Sequence, residues 1–213
     1  MTPILETQRL KLREFAHDDL EDLAAMVGDE DQMTFYPRPK TRDEAAEWLE
    51  RNIALYEEYG FGFWLIEALA TSGFLGYCGI RPLELDGASE TEIGWHTKKT
   101  FWNQGIATEA ATAARDAAFR RFGLSRLVAI IHPDHAASRR VAENIGMHGE
   151  RRTSLGDYPA VVYATTFLLG TGRVQAEQRV ASGAPQLLEI CMRGRRARRD
   201  HRCSSSQGGR GRR

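Results

Sequence analysis

The sequence predicts an α/β (α+β) fold with a mixed, mostly antiparallel central sheet and helices on both faces. Between residues 61 and 97, three strand-like segments are separated by the short, turn-rich segments TSG and DGAS, which is typical of an antiparallel meander. From residue 106 onwards, helical patterns alternate with a buried-strand pattern, which is typical of a βαβ-like unit. A chain of 213 residues with 42% hydrophobic residues can bury one full core.

The first part of the chain predicts one strand and two helices. The segment RLKLREF, residues 9–15, alternates apolar and polar residues, which indicates a half-buried strand. The following HDDLEDLAAMVGD combines an acidic first turn with helical spacing of its apolar residues, so it predicts a short helix. Thr41 is followed three residues later by Glu44, the spacing of a capping box, and this predicts a second helix that ends at Gly60.

The rest of the domain predicts five more strands and two more helices. Three strands are expected at residues 61–69, 74–80 and 91–97. An alanine-rich helix is expected over residues 106–122, and the apolar run LVAII at 127–131 indicates a fully buried strand. Beyond Pro133, a helix from Ser138 to Ile145 and a last strand around VVYATTFLL complete the pattern.

The composition changes abruptly near residue 170. Residues 1–169 carry 18 basic and 26 acidic residues and are predicted to form the domain, whereas residues 170–213 carry 11 basic and 3 acidic residues. The second segment is rich in Arg, Gly and Ser and predicts a disordered tail, because it has too few apolar residues for a core. Its charges could contact nucleic acid or a ribosome. An alternative is that the segment is a reading-frame artefact.

Cysteine and hydrophobicity patterns exclude several classes of protein. No apolar run reaches the roughly 18 to 20 residues of a membrane span, so we expect no membrane association and a cytoplasmic protein. Cys78 lies in a strand-like stretch and Cys191 and Cys203 lie in the tail, so no disulfide framework is predicted. The histidines His132, His135 and His148 lack the spacing of H-E-x-x-H, and we therefore expect no metal.

The segment FWNQGIATEAATAARDAAFRRFG is the most informative part of the sequence. Gly105 lets the backbone approach a ligand closely, and the small Ala107 leaves the first helical turn uncluttered. Such a helix start exposes free N–H groups where the macrodipole favours anions, so a pyrophosphate is expected to bind there. The Walker motif and the G-x-G-x-x-G dinucleotide fingerprint are both absent.

The order of these elements, and two motifs within it, resemble the GNAT superfamily of N-acetyltransferases over roughly residues 7–169. WNQGIATEA resembles the acyl-CoA loop of that family, and PDHAASRRVAENIGM resembles its second motif. Within the superfamily, the sequence looks closest to the ribosomal-protein N-terminal (alanine/serine) acetyltransferases. The resemblance implies acetyl-CoA as co-substrate, held by Ile93, Gly94, Trp95, Trp102, Asn103, Gln104, Gly105, Ile106, Ala107, Thr108, His135 and Ser138.

Three positions depart from the pattern of the family. Trp102 stands where many relatives have Arg or Gln, so the phosphates would depend on backbone amides. His135 replaces the usual Asn, which puts a hydrogen bond to pantetheine in doubt. Ala142 stands where many relatives carry the Tyr that protonates the leaving thiolate, so this chain cannot use that acid.

The resemblance also suggests the catalytic residues. An amine must lose a proton before it attacks a thioester, and Glu92 is the first candidate for the base, acting through water; Asp157 is the second. The alternative for Glu92 is a solvent-facing strand residue.

A backbone N–H of Ile93, Gly94 or Trp95 could stabilise the oxyanion. Ser138 could protonate the thiolate or could instead cap a helix; Tyr158 and Tyr163 are alternative acids or packing residues.

The acceptor is left open by the sequence. The resemblance favours a protein N-terminal α-amine, and the alternatives are a small-molecule amine, such as a polyamine or an antibiotic, and a non-catalytic acyl-CoA-binding module. Either a monomer or a homodimer is compatible with the sequence.

Overall fold

Local sequence signals position the elements of a single mixed sheet in the computed structural model, which describes residues 4–167. Within this range the strands are β1 (Leu5–Glu6), β2 (Leu10–Arg13), β3 (Phe63–Ala68), β4 (Phe74–Leu85), β5 (Ala88–Thr97), β6 (Arg126–Ile131), β7 (His148–Leu155) and β8 (Tyr158–Thr166). The α-helices are α1 (Leu20–Val27), α2 (Arg42–Tyr59), α3 (Ile106–Arg120) and α4 (Ala136–Asn144).

The eight strands lie in the order β1-β2-β3-β4-β5-β6-β8-β7. Neighbouring strands are antiparallel except β5 and β6, which are parallel and are joined through α3. A parallel pair needs a crossover of this kind, because the end of the first strand and the start of the second lie at opposite ends of the strands. The predicted mixed, mostly antiparallel sheet is therefore confirmed.

Helices cover both faces of the sheet, as predicted. Side chains alternate along β3, so Leu65 faces the cluster that contains α1 and α2, whereas Trp64 and Ile66 face the cluster that contains α3. Four alanines of α3, namely Ala110, Ala111, Ala114 and Ala118, are fully buried and let this helix lie close to the sheet. Each fully buried Leu or Ile contributes about 1.5–3 kcal/mol to the stability of the domain.

Capping residues set the helix ends. Thr41 and Glu44 form the predicted capping box of α2, and Gly60 ends that helix with a φ of +75°. The start predicted for α4 at Ser138 is wrong, because the helix begins at Ala136 and His135 caps it by accepting the N–H of Ser138 through its side chain. Ser138 is therefore not the cap.

Two strands escaped the sequence analysis, and two others, β4 and β5, are longer than expected. β1 has two residues and β7 has mostly exposed, charged side chains, so neither shows the alternation of a half-buried strand. β7 is instead held by pairing with β8 across a turn at Gly156 and Asp157. β4 extends past Ile80 to Leu85 and β5 begins at Ala88, because the turn between the two strands consists of residues 86 and 87 alone.

Several predictions fall outside residues 4–167. The tail of residues 170–213, including Cys191 and Cys203, lies beyond the described residues, and its contacts stay predictions, as does the oligomeric state. Within the described range, no helix has the length and hydrophobicity to cross a membrane.

Candidate active site

The parallel strands β5 and β6 separate along their length. Glu92 and Val128 form the one ladder pair between them in the described residues, although β5 continues to Thr97 and β6 to Ile131. Beyond that pair the facing edges are not joined by a ladder. The carboxyl ends of both strands therefore flank an opening, the usual place for a ligand in sheets with parallel strands. We call this opening the β5–β6 cleft.

The chain from β5 to α3 forms a tight loop at one side of the cleft. A short 3₁₀ helix, Lys99–Phe101, is followed by Trp102, whose indole Nε1–H donates to the carbonyl oxygen of Thr97 at 2.9 Å. Asn103 and Gly105 have positive φ angles of +60° and +76°. Since the indole N–H of Trp102 is used within the loop, the loop presents backbone rather than this side-chain donor to a ligand.

The start of α3 leaves main-chain donors uncapped. The first backbone bond of the helix joins the N–H of Glu109 to the oxygen of Gly105 at 3.0 Å, so the amides of Ile106, Ala107 and Thr108 precede it. Gly105 is the cap residue and has no side chain to accept from them. A helix of 15 residues whose first amides have no side-chain acceptor is a favourable anion site. This arrangement fits the predicted diphosphate position.

A buried side-chain donor lies beside the cleft. The indole Nε1 of Trp95 is buried and has no hydrogen-bond partner among the described residues. The side chain packs against the cluster that contains α3. A buried N–H without an acceptor is costly, at about 1–3 kcal/mol, so an acceptor oxygen from a ligand would be favoured there. Of the two strand residues beside it, Ile93 is buried in the same cluster, while Gly94 lies under the ring of Phe63.

Glu92 lies where the strands begin to separate. Its side chain is 13% exposed and accepts a hydrogen bond from Nε of Arg81, on β4, at 2.5 Å. The Arg81 guanidinium lies over the ring of Phe63, 5.6 Å from its centre. The alternative of a solvent-facing strand residue is therefore wrong, because Glu92 is held in a largely buried ion pair on the α1–α2 side of the sheet.

The two candidate bases are far apart. Asp157 lies in the exposed turn between β7 and β8. Ala164 of β8 is opposite Val128, the partner of Glu92, and Asp157 comes seven residues before it. At about 3.3 Å per residue, this separates the two carboxylates by roughly 20 Å along the strand direction. They cannot act on one proton together.

Aromatic contacts organise the other side of the cleft. The ring of His135 stacks on Phe35 with centroids 4.1 Å apart, and His132 lies 5.3 Å from the ring of Tyr158. Burial raises the pKa of Tyr158 to about 12. The hydroxyl of Tyr163 accepts a hydrogen bond from Arg139 at 3.0 Å. Both tyrosines are thus packed and hydrogen-bonded within the fold, and no group of three potential metal ligands occurs in residues 4–167.

His96 is a residue of the cleft that the sequence analysis missed. It lies on the same face of β5 as Glu92, with its ring stacked on Tyr36 at 5.5 Å and its Nδ1 3.5 Å from the hydroxyl of Tyr77. The ring also hydrogen-bonds to the backbone of Gln32. The alternation of TEIGWHT could have identified it, because His96 is four residues after Glu92. These contacts anchor the α1–α2 loop, residues 28–41, at the end of β5.

The pKa of His96 should make the stability of the domain depend on pH. Burial, and secondly the charge of His135, lowers this pKa from 6.5 to about 4. Between these values the unfolded chain binds more protons than the folded one, so the free energy of unfolding falls as the pH decreases from 6.5 to 4. We expect a contribution of roughly 3 kcal/mol. Urea unfolding across this range should show it, and His96→Gln, which keeps an N–H donor, should remove this part of the slope. An equal slope in both proteins would contradict the assignment.

Comparison with known proteins identifies the family of the chain. The family model for the Acetyltransferase (GNAT) domain matches residues 9–148. The uncharacterized protein YkkB of Bacillus subtilis is 35% identical over 160 residues, which cover 75% of this chain and 93% of YkkB. The uncharacterized N-acetyltransferase YoaA of the same organism is 30% identical, covering 70% of this chain and 85% of YoaA.

Solved structures give the same result. The acetyltransferase of Agrobacterium tumefaciens C58 is 27% identical with a TM-score of 0.70, covering 78% of this chain and 96% of that one. The enzyme that modifies the N-terminal serine of ribosomal protein L7/L12 in Salmonella typhimurium is 21% identical with a TM-score of 0.67, covering 78% and 99%. The expected likeness to ribosomal-protein acetyltransferases is thus confirmed. At 21% identity, it is a likeness of the fold.

Proposed function

Since the chain belongs to the GNAT family of acetyltransferases, we propose that it moves the acetyl group of acetyl-CoA to a protein or peptide α-amine. It is an acetyl-CoA-dependent N-acetyltransferase. The observation that supports the proposal most is the uncapped start of α3 beside the β5–β6 cleft. There the main-chain amides of Ile106, Ala107 and Thr108 would hold the diphosphate, with the backbone of Asn103, Gln104 and Gly105 shaping the approach.

The unpaired edge of β5 provides for the rest of the co-substrate. A backbone amide of Ile93–Trp95 that points to this edge is suited to the pantetheine arm or to the oxyanion of the tetrahedral intermediate, because it is fixed before reaction. The indole N–H of Trp95 adds a buried donor that needs an acceptor. His135 and Ser138, at the start of α4, lie on the other side of the cleft, where we propose that Ser138 protonates the departing thiolate. Ala142 is buried and has no proton to give.

We propose that the acceptor binds on the α1–α2 side of the sheet, where Glu92 lies, and the charges there favour an amine that is easily deprotonated. Glu92 is paired with Arg81, and Glu67 is paired with Arg13 and Lys11, so these carboxylates are already neutralised by cations. A polyamine carries several positive charges, and these carboxylates would contribute little to its binding because each is already paired with a cation. An α-amine has a pKa near ~8, against about 10.4 for a lysine, so a larger fraction is neutral at pH 7. Glu92 would then need to accept one proton through water.

An acceptor panel tests this proposal. We expect a peptide with a free N-terminus and no lysine to be acetylated at least tenfold faster, in kcat/KM, than spermidine or an N-terminally blocked lysine peptide, because of the difference in amine pKa. Release of CoA and the mass of the product would be measured together. Turnover of spermidine alone would contradict the α-amine, and binding of CoA without transfer to any amine would indicate a binding module.

A further inference from the structure

A carboxylate lies close to the predicted diphosphate position. Glu109 is in the first turn of α3, and its backbone N–H makes the first hydrogen bond of the helix, to Gly105. Burial opposes its ionisation, but hydrogen bonds from Thr7 and Arg9 outweigh this, so the pKa of Glu109 is lowered. The residue is therefore an anion at neutral pH. An acidic residue there stabilises the helix, but by itself it would repel a bound diphosphate.

Arg9, from the segment before β2, pairs with this carboxylate. Its guanidinium contacts Oε2 of Glu109 through Nε at 2.7 Å and through Nη2 at 2.6 Å, and its backbone N–H donates to Oε1 at 3.0 Å. The remaining nitrogen, Nη1, donates to the carbonyl oxygen of Gln104 at 3.0 Å. A Cβ placed on Gly105 would lie 3.4 Å from Nη2. The guanidinium is thus directly beside the loop that begins α3.

We propose that Arg9 is a positioning residue for acetyl-CoA, which neutralises Glu109 so that the amides at the start of α3 can accept a diphosphate. This inference rests on the proposed function, because it needs the diphosphate at the start of α3. Arg9 does this from the short segment between β1 and β2, which it ties to the loop through Gln104. The field at the start of α3 therefore depends on a residue about one hundred positions away in the sequence.

A structural role alone makes a different prediction. If the pair only fastened the N-terminal strands to α3, then loss of either partner would harm the protein in the same way. If its role is electrostatic, the two changes act in opposite directions. Arg9→Gln leaves a bare carboxylate beside the diphosphate, whereas Glu109→Gln leaves a guanidinium there. Arg121 offers a matched control, since its Nη1 donates to the carbonyl of Ile4 at 3.0 Å and fastens the same N-terminal segment at the far end of α3.

Titration calorimetry with CoA on the full chain separates these roles. We expect Arg9→Gln to weaken CoA binding by roughly tenfold to thirtyfold, and Glu109→Gln to leave it unchanged or tighter. Arg9→Gln/Glu109→Gln should recover to within about threefold of the natural protein, and Arg121→Gln should bind like it. For S-acetylpantetheine, which lacks the diphosphate, KM should be the same in all four variants, and thermal melting would verify folding.

The outcomes are distinguishable. Weaker CoA binding in both single variants, or no recovery in the double variant, would overturn the electrostatic role. Unchanged CoA binding in Arg9→Gln would overturn it as well. Failure of the natural protein to bind CoA would instead overturn the proposed diphosphate site, and with it the premise of this inference.

Discussion

Gly105→Val is expected to lower kcat/KM for acetyl-CoA by about a hundredfold, mostly through loss of acetyl-CoA binding. Gly105 has a φ of +76°, where a β-branched residue is strained. The loop would relieve this strain by rotating its backbone, which would turn the amides of Ile106 and Ala107 away from their present directions. The new side chain would also press against the guanidinium of Arg9. Calorimetric titration with CoA, together with steady-state kinetics, measures both effects.

The opposite end of the same helix provides the control. Gly123 has a φ of +67°, and a Cβ placed on it would meet nothing within 4 Å. Gly123→Val therefore introduces comparable backbone strain, about 1–3 kcal/mol, without touching the cleft. We expect it to lower the melting temperature but to keep the affinity for CoA. If Gly105→Val binds CoA as Gly123→Val does, the main-chain amides at the start of α3 do not hold the diphosphate.

Features encoded by neighbouring residues could be predicted from the sequence. The capping box of Thr41 and Glu44 needs only a spacing of three residues, and the alternation of RLKLREF needs only a strand with one buried face. The uncapped start of α3 belongs to the same class, because Gly105 precedes a helical pattern directly. For these features, local sequence and final structure agree because few distant contacts are needed to form them.

Features that depend on register could not be predicted. The pairing of Arg81 with Glu92 follows from the alignment of β4 with β5, and a shift by one residue would place the side chains on opposite faces. The bonds of Arg9 to Glu109 join residues one hundred positions apart in the sequence. The alternation along β5 marks the face of His96, but its contact with Tyr36 could not be predicted, since Tyr36 comes from a loop sixty residues earlier. The sequence predicted a diphosphate position at the start of α3 but not how its surroundings are neutralised.

Glu92→Gln is expected to lower kcat by about a hundredfold while the affinity for acetyl-CoA changes less than threefold. The amide keeps the size of the side chain but cannot accept a proton from the water that we propose relays it. Asp157→Asn should keep kcat within about twofold, because the turn lies roughly 20 Å from Glu92 along the strand direction. Rapid-quench measurement of acetyl transfer, combined with CoA titration, separates chemistry from binding.

Loss of an ion pair must be separated from loss of a base, and β5 itself contains the matched control. Glu90 is 14% exposed and pairs with Arg126 at 3.1 Å, much as Glu92 is 13% exposed and pairs with Arg81. Glu90 comes two residues before the point where β5 and β6 separate, so it lies outside the cleft. Glu90→Gln should therefore cost similar stability but keep kcat. Equal losses of kcat in the two variants would show that the ion pairs support the sheet, and a normal kcat in Glu92→Gln would mean that another group, or solvent alone, takes the proton of the amine.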